Sequence, residues 1–311
     1  MLASGPPEPV AAPSGQGWSF EVKWDGVRAL AHVRVDGTIA LRSRNGVDLA
    51  GRYPAVVDPA VGAALAPLMA PAILDGECVR LDPSGRPSFP GAVRGGSAAR
   101  LVVFDVLAWR GRDVRADTLA QRQSLVASLD LPALTGQAWM ACEVFDDGDA
   151  LLVATREQGL EGVMAKRRDS PYECGIRSRS WVKLPHLALT EVVVVGWVRA
   201  EFGGGVASLA VADPAGELLG TVGSGMTDRL SAALVAVLGG LALADPDPAL
   251  HIGRDAGALL RRFADRLTWV EPLLVAEVRH LGRTESGALR QPTLVRMRPD
   301  RAPAELPGSA W

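Results

Sequence analysis

The chain has 311 residues, a hydrophobic fraction of 48% and a formal net charge of −2, with a pI of about 6.1. That is enough apolar chain for one large domain or two medium ones, and it excludes a globally basic nucleic-acid binder while leaving room for a local basic patch. The three cysteines, Cys78, Cys142 and Cys174, form no C-x-x-C pair, and no apolar run reaches a membrane-spanning length. Zinc and disulfide frameworks and a membrane span are therefore not expected, and a reducing, cytoplasmic compartment is.

Residues 1–17 are rich in Pro, Gly and Ala and lack a basic start, so they read as a flexible leader, not a signal peptide. Phe20, Val22 and Trp24 then alternate as in a strand, and Asp25-Gly26 is a turn signal. Lys23 falls where a buried strand opens into a loop, a place where desolvation frees an amine to act as a nucleophile. Arg28, just past the turn, suits a phosphate or a ribose. Chance alone would give Lys-x-Asp-Gly-x-Arg in roughly one of a few hundred chains this long. Taken alone, the stretch reads equally well as an exposed strand lysine beside an ordinary turn.

Residues 29–35 and 39–43 flank Asp36-Gly37 as a hairpin. Arg42-Ser43-Arg44-Asn45-Gly46 is a second turn, in which Arg44 is either a phosphate ligand or an exposed turn arginine. Residues 54–70, behind Tyr53-Pro54, have the composition of a helix. Ala72-Ile73-Leu74 runs through Asp75-Gly76-Glu77 into residues 78–81, a strand interrupted by a glycine with a carboxylate on either side. Glu77 fits a ribose hydroxyl, a metal or a plain hairpin acid. Residues 83–100 are a Pro-, Gly- and Ser-rich loop. Leu101–Leu107 is a strand of buried type, whose Phe104 is either core or a base-stacking platform.

Residues 117–129 have the spacing of an amphipathic helix, and 146–149 cap another over 149–158, ended by Gly159. In the strand over 160–166, alternation sets Glu161 with Val163 and Ala165 on one face, and Lys166 with Gly162 and Met164 on the other. Arg177, Arg179 and Lys183 follow, with 181–184 a further strand. Beyond residue 187 the composition changes. A β-run over 190–198, glycine-punctuated short strands, a helix over 228–241 and a strand over 273–279 predict a small closed or half-open barrel. The expected organisation is a leader (1–17), a first domain (18–186), a second (187–303) and a tail (304–311).

The order of these pieces, more than any one of them, is specific. The phrases Phe20-Glu21-Val22-Lys23-Trp24-Asp25-Gly26, Ser43-Arg44-Asn45-Gly46, Leu74-Asp75-Gly76-Glu77, Phe104-Asp105-Val106-Leu107, Glu161-Gly162-Val163-Met164-Ala165-Lys166 and Arg177-Ser178-Arg179-Ser180-Trp181-Val182-Lys183 are followed by Leu289-Arg290-Gln291-Pro292 and Arg298-Pro299-Asp300-Arg301. This series resembles the covalent nucleotidyltransferase superfamily of ATP-dependent DNA ligases and mRNA capping enzymes, and most of all the bacterial ligases of the ligase C and ligase D type. It spans residues 18–303.

The resemblance implies an α+β chain: a nucleotidyltransferase domain of ATP-grasp-like antiparallel sheets with helices, followed by an OB-fold β-barrel. It implies ATP and Mg²⁺ or Mn²⁺ as cofactors, and nicked double-stranded DNA as substrate. Lys23 would attack the α-phosphorus of ATP; Glu21 would belong to the nucleotide pocket; Arg28 and Glu77 would hold the ribose; Phe104 would stack on adenine. Glu161, with Glu77, would hold the metal, and Lys166 and Lys183 would contact the α-phosphate. Arg44 and Arg177 would contact phosphates of nucleotide or DNA. Arg298, Asp300 and Arg301 would orient the leaving pyrophosphate. The chain then reads as a monomeric, minimal ligase or the ligase subunit of a repair complex, cytoplasmic and nucleoid-associated. Its weak net charge points to help from a DNA-end-binding or polymerase partner.

Two departures stand out: Pro185 where relatives often carry a lysine, and Arg301 where the last motif usually ends in lysine. RNA ligation or guanylyl transfer on the same scaffold, and a non-catalytic OB-fold scaffold, are the alternatives. Labelling with ATP or GTP separates them.

Overall fold

The computed structural model describes residues 1–5, 11–81, 87–88, 99–253, 257, 261–284 and 286–311. The chain divides into two compact units, Met1–His186 and Leu187–Trp311.

Unit 1 contains β1 (Leu2–Ser4), β2 (Trp18–Val22), β3 (Val27–Val33), β4 (Ile39–Ser43), α1 (Pro59–Met69), β5 (Ala72–Leu81), β6 (Pro87–Ser88), β7 (Ala99–Trp109), β8 (Arg112–Asp113), α2 (Leu119–Ala127), α3 (Leu131–Leu134), β9 (Trp139–Ala141), α4 (Gly148–Glu157), β10 (Gly162–Arg167) and β11 (Arg177–Pro185). They build two sheets, one in the order β1-β11-β10-β2 and one in the order β4-β3-β5-β7-β8, with β6 on β5 and β9 on β7. All ladders are antiparallel except β1–β11 and β7–β9.

The period of two in each strand creates both a core and a site. In the larger sheet, Ala29, Ala31 and Val33 of β3, Leu74 and Cys78 of β5, and Leu101 and Val103 of β7 are buried together with Val61, Leu65 and Met69 of α1. The alternate positions Arg28, Asp75 and Glu77 leave by the opposite face. In the smaller sheet, Phe20, Val163, Ala165 and Leu184 pack against Leu151 of α4. Their neighbours Glu21, Met164, Lys166 and Lys183 turn away from that core.

α2 begins with a capping box, Thr118 and Gln121 each bonding the other's backbone. Its side is anchored by Arg122, which is fully buried and bidentate to Asp105 of β7 at 2.6 and 2.9 Å. The same guanidinium donates to the carbonyls of Asp117 and Ser170.

Two expectations need correction here. The leader is not loose throughout: Leu2–Ser4 pairs with β11, and Met1 is buried against Tyr172 and Trp181. Apolar Met1 and Ala3 find a core there, which a Pro/Gly composition count does not register. The helix expected over 54–70 is a 3₁₀ turn, Pro54–Val57, and then α1, because Pro59 starts a new helix capped by the Asp58 side chain. Within the loop expected at 83–100, only 87–88, paired as β6, and 99–100, part of β7, are among the described residues.

Unit 2 contains β12 (Ala188–Arg199), β13 (Val206–Ala212), β14 (Leu218–Val222), α5 (Asp228–Gly240), β15 (Ala242–Leu243), β16 (Leu267–His280) and β17 (Thr293–Met297). The sheet order is β14-β13-β12-β16-β15, with β17 also on β16. A bridge from Ser224 to Thr293 ties the end of β14 toward β17, so the sheet curls on itself around Val192, Val194, Leu209, Val211, Leu238 and Val278. This half-barrel has the OB-fold architecture expected beyond residue 187. The expected tail is part of it: Leu306 is buried in a cluster against which Trp311 packs.

Candidate active site

The register of β11, β10 and β2 sets side chains in rows across the smaller sheet. Glu21, Met164 and Lys183 form one row, and Ser19, Lys166 and Trp181 the next. Gly162 and Pro185 continue the series beyond the first row, where the Lys23 amide bonds Gly162 O at 2.9 Å. Facing these rows from the larger sheet are Arg28 of β3, Glu77 of β5 and Phe104 of β7. These three and the side chains of Glu21, Lys23, Met164, Lys166, Trp181 and Lys183 line a cavity of 180 Å³ that Ala3, Val22 and Trp24 complete.

Two glycines allow the backbone to come this close. A Cβ at Gly26 would lie 2.3 Å from the Cys78 carbonyl oxygen, so the turn after Lys23 tolerates no side chain against β5. Gly162 has φ 143°, and a Cβ there would lie 2.3 Å from Leu184 O.

The cavity grades from buried to exposed. At its inner end Lys166 and Glu21 are each 2% exposed in the side chain and paired at 2.6 Å. The Lys166 ammonium also lies 4.5 Å from the centre of the Phe104 ring and 4.3 Å from that of Trp181. Phe104 and Trp181 meet edge to face with centroids 6.0 Å apart. Burial pushes the Glu21 carboxyl up from the usual carboxylate value, with Lys166 opposing.

At the outer end the Lys23 ammonium pairs with Glu161 at 2.6 Å, and Lys183 is exposed. Glu77 carries a pKa raised to about 8 by burial, against the pull of Lys23 and Arg28. Arg28 is bidentate to Asp75 at 3.0 and 2.6 Å, and Tyr172 donates to the same carboxylate at 2.7 Å. This fixes the guanidinium 5.5 Å from the Phe104 ring centre.

Of the residues singled out from sequence, Glu21, Lys23, Arg28, Glu77, Phe104, Lys166 and Lys183 line this one cavity, and Glu161 joins it through Lys23. Arg44 does not; it lines a second cavity of 290 Å³ that shares Arg28. Arg177 is exposed and donates to Ala3 O at 2.6 Å. Lys166, expected at the α-phosphate, has its ammonium buried against the Glu21 carboxylate and two aromatic rings. Arg298, Asp300 and Arg301 cluster on unit 2: Arg298 is bidentate to Asp300 and pairs with Glu191, which Arg301 also approaches at 3.4 Å.

The sequence reading assigned no role to Asp75, Tyr172, Met164, Ala3 or Gln123, all of which touch this arrangement. Alternation could have flagged Asp75, two residues before Glu77, and Met164, two before Lys166. Nothing in the sequence could have flagged Ala3 or Gln123, which arrive from distant elements.

Residues 1–184 match the model of the ATP dependent DNA ligase domain, and residues 202–301 that of the ATP dependent DNA ligase C terminal region. The chain is 38% identical over 308 residues to the multifunctional non-homologous end joining DNA repair protein LigD of Mycobacterium tuberculosis, covering 96% of this chain and 38% of that protein. It thus spans well under half of that relative. Against the crystal structure of the ligase domain from M. tuberculosis LigD, identity is 35% and TM-score 0.55, with 98% of this chain and 97% of that one covered. Against a mycobacterial DNA ligase D complexed with ATP and MES the values are 34% and 0.52, with the same coverage.

Proposed function

The chain belongs to the ATP-dependent DNA ligases, and from that premise we propose that it seals 5′-phosphate/3′-hydroxyl nicks in double-stranded DNA through a lysyl-AMP intermediate, as a step in DNA repair. The observation that carries this reading is the grading of the cavity. Its dry, aromatic inner end suits a purine, its middle offers Glu77 and Arg28 to a ribose, and its mouth holds Lys23 beside the exposed cation Lys183.

In the first step Lys23 leaves its ion pair with Glu161, gives up a proton to solvent at the mouth and attacks the α-phosphorus of ATP. A P–N bond forms and the P–O bond to pyrophosphate breaks. In-line placement of a fixed amine supplies the entropic part of the rate, and Lys183 offsets charge on the α-phosphate. Glu21 accepts a hydrogen from the exocyclic amine of adenine, and Phe104 and Met164 border the ring. Lys166 acts through Glu21 in place of a phosphate contact.

Among the described residues no group of three or more His, Cys, Asp or Glu could hold a metal by itself. Glu161 and Glu77 suit a hard divalent cation, Mg²⁺ or Mn²⁺, that takes one or two carboxylates and completes its shell with phosphate and water. When bound, such an ion neutralises phosphate charge.

AMP then passes to the 5′-phosphate of the nick, and attack by the 3′-hydroxyl expels it. Arg44 and Arg177, exposed and basic, are assigned to DNA phosphates, and Arg298, Asp300 and Arg301 to the leaving pyrophosphate. The small net charge favours assistance from a DNA-end-binding or polymerase partner at the nucleoid.

The test is covalent labelling. Incubation with α-labelled ATP and a divalent metal should label the wild-type chain and not Lys23→Ala, and the label should discharge onto nicked DNA. Label retained by Lys23→Ala reassigns the nucleophile. Label from GTP alone, or discharge onto nicked RNA only, replaces the DNA-ligase reading.

A further inference from the structure

We propose that Gln123, on α2, is a positioning residue that locks the Glu21 carboxylate and thereby sets the preference for a 6-amino over a 6-oxo purine. The inference rests on reading the cavity as the nucleotide site.

Glu21 is held from both sides. Gln123 Nε2 donates to Oε1 at 2.6 Å, and Lys166 Nζ to Oε2 at 2.6 Å. The same two donors also reach the Phe104 carbonyl oxygen, at 3.5 and 3.3 Å. A carboxylate and a carbonyl are both acceptors, so the Gln123 side chain must turn its NH₂ and not its oxygen toward them. Its orientation is therefore determined by its neighbours.

The helix that carries Gln123 is equally constrained. The preceding residue, Arg122, is fully buried and bidentate to Asp105, the residue after Phe104. The stacking platform and the carboxylate clamp are thus fixed to the same piece of β7.

The chemical consequence follows from counting lone pairs. Glu21 accepts from Gln123 and Lys166 and is also in hydrogen-bonding contact with the Cys142 thiol, yet it still lines the cavity, where its remaining lone pairs meet an incoming base. A purine edge meeting it must offer a hydrogen. An exocyclic 6-amine does so at that position; a 6-oxo group there brings only lone pairs, and the hydrogen such a base carries at N1 sits one ring atom away, so the base must shift to offer it. Without Gln123 the carboxylate loses its donor at Oε1, and Lys166 at Oε2 with the Cys142 thiol beside it leaves it freer to rotate, blunting that choice.

The test compares ATP with inosine triphosphate, which carries an oxo group in place of the 6-amine and a hydrogen at N1 where adenine has a lone pair. Rates of covalent adduct formation at sub-saturating nucleotide are measured for wild type, Gln123→Leu and Gln123→Glu, with urea midpoints as a check on folding. Gln123→Leu should lower the ATP-to-ITP ratio by about tenfold, chiefly by raising KM for ATP. Gln123→Glu should lower it further. Two carboxylates at the 2.6 Å separation of Gln123 and Glu21 must share a proton or move apart, and either way Glu21 loses the fixed ionised acceptor that selects the 6-amine. A ratio unchanged in Gln123→Leu, or equal loss of both nucleotides in both variants, overturns the proposal and leaves Gln123 a packing residue. If Gln123→Glu fails to fold, Gln123→Leu decides alone. A wild-type chain that forms no adduct with ATP sinks the nucleotide-site reading itself, a distinguishable result.

Discussion

Glu77→Gln should stabilise the nucleotide-free protein at alkaline pH while crippling nucleotide transfer. Burial raises the Glu77 carboxyl from the usual 4.5 to about 8, with Lys23 and Arg28 offsetting part of the effect. A folded-state pKa above the unfolded one means that the group's contribution to stability is intact below 4.5 and is lost as pH rises through about 8. Each pH unit of separation corresponds to ~1.4 kcal/mol, so the ceiling is about 5 kcal/mol. The carboxyl is half-buried, and water and the two nearby cations answer its charge, which brings the expected effect to about 1–3 kcal/mol. The neutral amide has the same shape and no charge to desolvate. Urea unfolding of wild type and variant at about pH 4 and about pH 8 measures the difference. Wild type should fall progressively behind the variant as pH rises between them, while the variant's adduct formation drops at least about tenfold because an NH₂ donor replaces one of the two oxygens that can accept from the ribose. Equal stability differences at the two pH values would refute the reasoning, because the gain would then owe nothing to ionisation.

Arg122→Leu should destabilise unit 1 by about 3–5 kcal/mol, since it strands the fully buried Asp105 carboxylate; Asp105→Leu in the same chain should recover part of that loss in denaturant unfolding. Gly162→Ala should cost about 2–3 kcal/mol or more, because φ 143° and an oxygen 2.3 Å from the new Cβ both oppose it, and the adjacent Glu161 should lose its place beside Lys23. Unfolding midpoints and adduct yield check the two effects together. Arg298→Ala should slow adduct formation and spare sealing of a pre-adenylylated nick; equal loss in both steps would contradict the pyrophosphate role.

The sequence by itself determined the local chemistry. Alternation fixed which residues share a strand face, so Lys166 with Met164, and Trp181 with Lys183, were legible before any fold was known. The Asp-Gly turn placed Lys23 at the end of a strand, and the glycine-punctuated β-run beyond residue 187 announced a curled sheet. These are consequences of periods of two and of turn residues, which act over a few positions. What only the tertiary structure decided is which faces meet. The register of β10 against β2 and β11 aligns Glu21 with Met164 and Lys183, and thereby puts Lys166 at the buried end of the cavity, paired with Glu21. The closing of β1 on β11 turns a Pro- and Gly-rich leader into a wall carrying Ala3. The docking of α2 through Arg122 brings Gln123 to a carboxylate 102 residues earlier in the chain. Such contacts depend on how separate elements pack, and burial, not local spacing, sets the protonation and pairing of the charges they enclose.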